Sequence, residues 1–187
     1  YIEQQYYGEN YRIFAIDDKV IDIIHRKFPQ VIGDGINKLS TLITNNSNYR
    51  LANNHPILKP DYDFILKKYY YTYDTIIPKD EIIIVTDIVN YHRGSVACRV
   101  DINSVHPDNI EIFKKINNIF SIKYSGIDFL TKDISKSYKE GYGVIIEINT
   151  APDDAIHYKA ECGNDNKEYR RKYIKALFPE LNEVKLN

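Results

Sequence analysis

Glu147 and Asn149 stand two residues apart in Val144-Ile-Ile-Glu-Ile-Asn-Thr-Ala-Pro152, and Asp128 sits upstream in Gly126-Ile-Asp-Phe129. Side chains two apart on a β-strand leave the same face. Glu147 and Asn149 therefore project together from a strand whose other face is expected to be apolar through Ile146 and Ile148. Pro152, followed by Asp153 and Asp154, ends that strand. A second short strand around Tyr124 to Leu130, paired with the first, would bring Asp128 alongside. Two carboxylates and a carboxamide are all hard oxygen donors, the set that suits Mg²⁺ carried on phosphates. The same three residues can also be read as ordinary polar positions of a half-exposed sheet, because motifs this short recur without function.

The elements that must hold these residues come from a chain of 187 residues, 43% hydrophobic, long enough to bury a core as one domain. With 25 basic and 26 acidic residues the formal net charge is -1, so no global field recruits nucleic acid or an anionic membrane. No apolar run approaches the roughly 20 residues of a membrane span, and no signal peptide opens the chain. Two cysteines, Cys98 and Cys162, are too few for a disulfide framework, and the expectation is free buried thiols in a reducing cytoplasm. Met is absent and Tyr1 opens directly in a strand-like run, which reads as a piece of a longer protein.

Tyr11 to Ile16 and Val20 to His25 alternate as β-strands around Asp17-Asp18-Lys19, a hairpin. Gly33-Asp34-Gly35 marks a turn, Asn37 to Asn46 has helical spacing, and the polar, Asn-rich stretch from Asn45 to Pro60 reads as a loop. A short amphipathic helix spans Tyr62 to Tyr70, and strands are expected over Ile82–Val85 and Ser95–Val100. His106-Pro107-Asp108 opens a helix that runs to about Ile119, with Pro and Asp where a first turn favours them. Strands near 124–133 and 143–149 follow, and Lys167 to Phe178 closes as a basic amphipathic helix. Hairpins with interspersed helices define an α+β fold with a largely antiparallel sheet and flanking helices.

In this order the elements carry a series of short motifs. They are Tyr1-Ile-Glu-Gln-Gln-Tyr-Tyr-Gly-Glu-Asn-Tyr-Arg12, Arg26 with Val31-Ile-Gly-Asp-Gly35, Asn90, and Val105-His-Pro-Asp-Asn109. Gly126-Ile-Asp128, Asp133-Ile-Ser135, Glu147-Ile-Asn149-Thr-Ala-Pro152, His157 and Leu177-Phe-Pro179 complete the series. Each motif alone is weak, but together they cover nearly the whole chain. In this the chain resembles the C-terminal half of an ATP-grasp domain, most closely that of cyanophycin synthetases and related amide-forming ligases.

The resemblance implies that residues 1–187 are the C-terminal subdomain of an ATP-grasp domain, its N-terminal partner with the phosphate-binding lysines lying elsewhere. The implied cofactors are ATP and Mg²⁺. The segment Glu3 to Tyr6 would meet adenine along its backbone, with Tyr6 covering the base, and Asn10 would face the ribose hydroxyls. Arg12 and Arg26, on the strands of one hairpin, would reach phosphate oxygens that a guanidinium can hold bidentately. Asp128, Glu147 and Asn149 would hold the metal, and Asn90, Arg93 and His157 would serve the reacting end. On the residues alone, Glu3 reads equally well as a solvent-facing edge position, and Arg12 and Arg26 as surface charges paired with Asp17 or Asp22. The glycines of the 33–35 turn, His106 and the basic face of the last helix read as structural. His157, which follows the metal strand, is expected to face the site.

The implied reaction is ATP-dependent carboxylate–amine ligation through an acyl phosphate. The partners would be ATP, amino-acid or peptide substrates and the remainder of the same longer chain. No nucleic acid or membrane is implied, the location would be cytoplasmic, and a homo-oligomer is compatible with the sequence. Two departures from the family stand out. A Ser-Thr-Gly-Gly type loop is replaced by His92-Arg-Gly-Ser95, and a Pro-Gly with its following arginine by Pro152-Asp-Asp-Ala155. The first adds a positive charge near the acyl phosphate; the second, with two aspartates gained and an arginine lost, makes the acceptor end more acidic and points to a cationic acceptor. They also admit an alternative, a degenerate ATP-grasp fold kept as a structural or binding module. Half of a clamp is expected not to turn over by itself.

Overall fold

The computed structural model describes residues 4–163 and 166–180. The chain divides into two compact units, residues 1–25 with 97–187 and residues 26–96, rather than gathering around one core. The first unit is built on a five-stranded sheet in the order β5-β2-β1-β6-β7. Its strands are β1 (Glu9–Ile16), β2 (Lys19–Lys27), β5 (Val96–Arg99), β6 (Tyr124–Thr131) and β7 (Gly143–Asn149). The expected hairpin is β1–β2, and Asp17 takes φ 50° at its turn.

Alternation along β1 sorts its residues onto two faces. Tyr11, Ile13 and Ala15 pack with Ile23, Ile127 and Phe129 against α3 (Pro107–Phe120), which contributes Phe113 and Ile116. Phe113 and Phe129 meet edge to face at 5.0 Å between ring centroids. On the other face Phe14 and Ile16 pack under Tyr169 and Ala176 of α5 (Asn166–Leu177). Asn10 and Arg12 occupy the far end of that second face, so α5 covers one half of it and polar residues furnish the rest. His106 starts α3 by accepting the Asp108 N–H on Nδ1, the structural role expected for it.

The β6–β7 ladder corrects the simple alternation expected for β7. Asp128 opposes Glu147, but Phe129 opposes Ile145, so Ile146 is an extra residue in a β-bulge. Ile146 is accordingly 57% exposed, while Ile145 and Ile148 are the pair packed on the core. A bulge re-aims the side chains on either side of it. Here it lets Val144, Glu147 and Asn149 all leave the same face although 144 and 147 differ in parity. Gly143, at the start of β7, lies where a Cβ would stand 2.2 Å from the Phe129 ring, so the strand can approach this core only without a side chain there.

The second unit holds β3 (Gln30–Ile32) paired with β4 (Ile82–Ile84), α1 (Leu39–Ala52) and α2 (Tyr62–Tyr69) around Val31, Leu39, Ile43, Ile65, Ile77 and Ile83. α1 runs through the Asn-rich stretch expected to be a loop from residue 45. Propensity is a weak prior that packing overrides. The packing here is Arg50, 3% exposed, whose Nε donates to Pro56 O at 2.6 Å and whose Nη2 donates to Ser95 O at 3.3 Å. Asp61 caps α2 by accepting the Phe64 N–H, and Tyr70 ends it in the left-handed region at φ 59°.

The cysteines also depart from expectation. Cys98 and Cys162, 64 residues apart, form a disulfide with a Cα–Cα distance of 4.5 Å. Cys162 is brought there because its segment runs beside β5: Arg99 N donates to Cys162 O at 2.7 Å and Glu161 N to Ala97 O at 2.7 Å. Spacing in the sequence carries no information about that approach. Among the described residues, no helix is long and apolar enough to cross a membrane.

Candidate nucleotide and metal site

Three rows of side chains cross β1, β6 and β7 on the face that α5 leaves to polar residues. The first is Asn10, Leu130 and Val144; the second is Arg12, Asp128 and Glu147; the third is Phe14, Gly126 and Asn149. On β1 and β6 successive rows lie two residues apart, roughly 6.8 Å along the strands, while on β7 the bulge makes the step from the first to the second row three residues. Beside the first row is a cavity of about 230 Å³ whose lining includes Gln4, Tyr6, Tyr7, Leu130, Tyr142 and Val144. Along the strands from this cavity, Asn10 is followed by Arg12 and Asp128. Glu3 lies outside the described residues.

In the second row Arg12 Nε approaches Asp128 Oδ1 to 2.6 Å, and Nη2 donates to Oδ2 at 3.4 Å. The closer contact falls outside hydrogen-bond alignment, so the pair is held mainly by charge. Arg12 thus pairs with Asp128 across the sheet and not with Asp17 or Asp22. Asp128 is 9% exposed, whereas Glu147, directly opposite it, is exposed. Asn149 is half-buried, its Nδ2 3.5 Å from Gly126 O. Gly126 stands in the Gly126-Ile-Asp128 motif, but its role emerges only here. A Cβ there would meet Arg12 Nη1 at 2.6 Å and Pro152 Cβ at 2.7 Å, so its bare backbone leaves room for the guanidinium. Leu130 and Val144 were passed over; their signal was their place two or three residues from Asp128 and Glu147 on the same strands.

Residues opposite each other on paired strands carry Cβ atoms about 4.5–5.5 Å apart, so Asp128 and Glu147 can share one small cation. Among the described residues, no group of three or more His, Cys, Asp or Glu could hold a metal by itself. Two carboxylates and an amide fit instead an ion that takes its remaining oxygens from phosphate and water, the habit of Mg²⁺.

Arg26, Asn90 and Arg93 belong to the second unit. Arg26 is buried near the end of β2. Asn90 Oδ1 accepts the His92 N–H at 2.8 Å and so caps the short turn Tyr91–Arg93, which Gly94 closes at φ 93°. Arg93 Nε is buried without a hydrogen-bond partner.

His157 does not face the polar end of the sheet as expected. It lies on α4 (Ala155–Tyr158), is 1% exposed, and stacks on Tyr169 at 5.6 Å beside Phe14. Its Nδ1 is 3.0 Å from Asp22 Oδ2, and because a carboxylate only accepts, Nδ1 carries the proton. Asp22 also accepts from Arg99 Nε at 2.9 Å, and Arg99 Nη2 donates to the His157 carbonyl. Burial pushes the His157 pKa down, outweighing the upward pull of Asp22, with Arg12 and Arg99 adding to the depression. A folded-state pKa below that of the unfolded chain means the unfolded chain takes up the proton first as pH falls. The contribution of neutral His157 to stability is therefore complete above about pH 6.5 and is lost on acidification below it. Urea midpoints at pH 7.5 and pH 5.5 should fall more steeply for the wild type than for His157→Gln. Equal falls would overturn the assignment.

No protein-family model matches the chain. Comparison with known sequences and structures nevertheless supports an ATP-grasp ligase fragment. It is 31% identical over 171 residues to cyanophycin synthetase of Synechocystis sp., a match spanning 87% of the chain and 19% of that protein. To the glutathione biosynthesis bifunctional protein of Desulfotalea psychrophila it is 27% identical over 178 residues, 91% of the chain and 22% of that protein. The crystal structure of a bifunctional glutathione synthetase from Pasteurella multocida superposes with a TM-score of 0.76 at 21% identity, over 94% of the chain and 25% of that structure. At that identity the superposition speaks to the fold. The chain spans about a fifth of the length of the relatives it matches.

Proposed function

We propose that this chain is the C-terminal, nucleotide- and metal-holding subdomain of an ATP-dependent carboxylate–amine ligase that works through an acyl phosphate. The observation that carries the reading is the row Arg12–Asp128–Glu147, aligned on one sheet face beside a cavity of about 230 Å³. The cavity takes the adenine, with Tyr6 against the base and the Gln4–Tyr7 segment beside it. Asn10 meets the ribose hydroxyls, and Arg12 and Arg26 bind phosphate oxygens. Asp128, Glu147 and Asn149 would hold Mg²⁺, which when bound would supply positive charge to offset that of the phosphates. The arginines do the same from the protein side, and no covalent nucleophile is required. His157, sealed against Asp22, acts here as a positioning residue for the segment after β7. Asn90 and Arg93 belong to the loop that would meet the acyl phosphate and the amine.

Similarity to amide-forming ligases favours this reading over a degenerate module, and so does the survival of all three metal donors on one face. The partners would be ATP, an amino acid or peptide, and the rest of a longer chain. A cationic acceptor remains the reading of the Asp153-Asp154 segment, although Asp153 Oδ1 already accepts the Ala155 N–H at 2.9 Å. A preference of the full-length protein for aspartate or glutamate over lysine or arginine would sink that part. The reading as a whole is tested by titrating a non-hydrolysable ATP analogue into the full-length protein with and without Mg²⁺. Binding that requires Mg²⁺ is expected, and no binding in either condition would refute it.

A further inference from the structure

We propose that Arg12 is the resting counter-ion of Asp128, and that it makes metal binding conditional on the nucleotide by leaving Asp128 only when phosphate is there to receive it. The inference rests on the ATP reading of this face. Glu147 and Asp128 are directly opposed on adjacent strands, and like charges in that relation destabilise a sheet. Arg12 opposes Asp128 from the other side and offsets the repulsion. The guanidinium has a defined berth. Gly126 provides no Cβ where one would stand 2.6 Å from Nη1, and Pro152 closes the same space. Yet its grip on the carboxylate is loose. The 2.6 Å Nε–Oδ1 contact is poorly aligned and the aligned bond is long at 3.4 Å, unlike the parallel two-bond fork that arginine makes when it clamps a carboxylate.

A cation held beside a carboxylate mainly by charge competes with any second cation for it. A divalent ion arriving by itself must displace Arg12 from Asp128 with nothing to take up the guanidinium. An ion arriving on a triphosphate brings the anion that Arg12 binds, so the exchange keeps every charge paired. Arg12 therefore weakens metal binding in the absence of nucleotide and strengthens it in its presence. A residue with a purely structural role would move both affinities in one direction.

The test uses Mn²⁺, followed by electron paramagnetic resonance, on the full-length protein as wild type, Arg12→Met and Arg12→Lys. For Mn²⁺ alone, Arg12→Met is expected to bind at least about tenfold more tightly than wild type, whereas Arg12→Lys, which keeps the cation, stays near it. For Mn²⁺ with a non-hydrolysable ATP analogue, Arg12→Met is expected to bind more weakly than wild type. An unchanged or weakened Mn²⁺-only affinity in Arg12→Met overturns the inference. Should Arg12→Met not fold, Arg12→Gln carries the same comparison. A wild type that binds no analogue refutes the ATP reading instead, and the Mn²⁺-only comparison still decides the role of Arg12 at Asp128.

Discussion

Replacing Glu147 and Asn149 together by alanine is expected to lower the proposed ATP-dependent ligation rate of the full-length protein by on the order of a thousandfold, with Mg²⁺–nucleotide affinity falling at least about tenfold. The size follows from what remains. Of the three proposed metal donors only Asp128 is left, and its carboxylate is already opposed by Arg12. A metal polarising a phosphoryl group is worth several kcal/mol, and about 4 kcal/mol corresponds to that loss of rate. Stability should hardly change, since Glu147 is exposed and Asn149 half-buried. ADP formation measured beside a urea unfolding curve checks both statements. Ligation surviving within tenfold of wild type would remove the metal role from these residues.

The second large effect concerns folding. Asp22→Ala is expected to cost about 3–5 kcal/mol, because it strands a buried charge. Asp22 is 4% exposed and serves two partners, Arg99 Nε at 2.9 Å and His157 Nδ1 at 3.0 Å. The Arg99 and His157 side chains are 7% and 1% exposed. Against a typical total of about 5–15 kcal/mol such a loss brings a domain near its unfolding threshold. Asp22→Leu combined with Arg99→Met should recover much of the cost, since an apolar pair of similar volume avoids the desolvation that the ion pair suffers. Denaturant midpoints of the three proteins test this, and a cost below about 1 kcal/mol for Asp22→Ala would mean Arg99 finds another partner.

The two cases show where reading the sequence succeeds. Alternation in Tyr11–Ile16 identified a strand, and Pro107 with Asp108 identified the start of α3, because these are local preferences of backbone and side chain. Glu147 and Asn149 were legible as a pair for the same reason: period two is a property of one strand. Asp22 drew notice only as a surface partner for an arginine, since nothing near it in the chain announces Arg99 or His157. The bulge at Ile146, the Cys98–Cys162 bond and the seat that Gly126 makes for Arg12 all depend on how distant strands approach. The continuation of α1 through its asparagines depends on the anchoring of Arg50 by Pro56 and Ser95.

By itself, then, the sequence determined the mixed α and β character, most strands and helices, the oxygen-donor chemistry of Asp128, Glu147 and Asn149, and the ATP-grasp resemblance that orders them. Only the tertiary structure decided that Arg12 is paired with Asp128, that His157 is sealed inside the first unit, and that Asn90 is spent on capping its own turn. The physical reason is one of range. Residue type and spacing fix what a side chain can do and which way its own strand or helix aims it. Its partner is chosen by packing between segments a hundred residues apart, and that packing is set by the sum of many weak contacts that no single stretch of sequence contains.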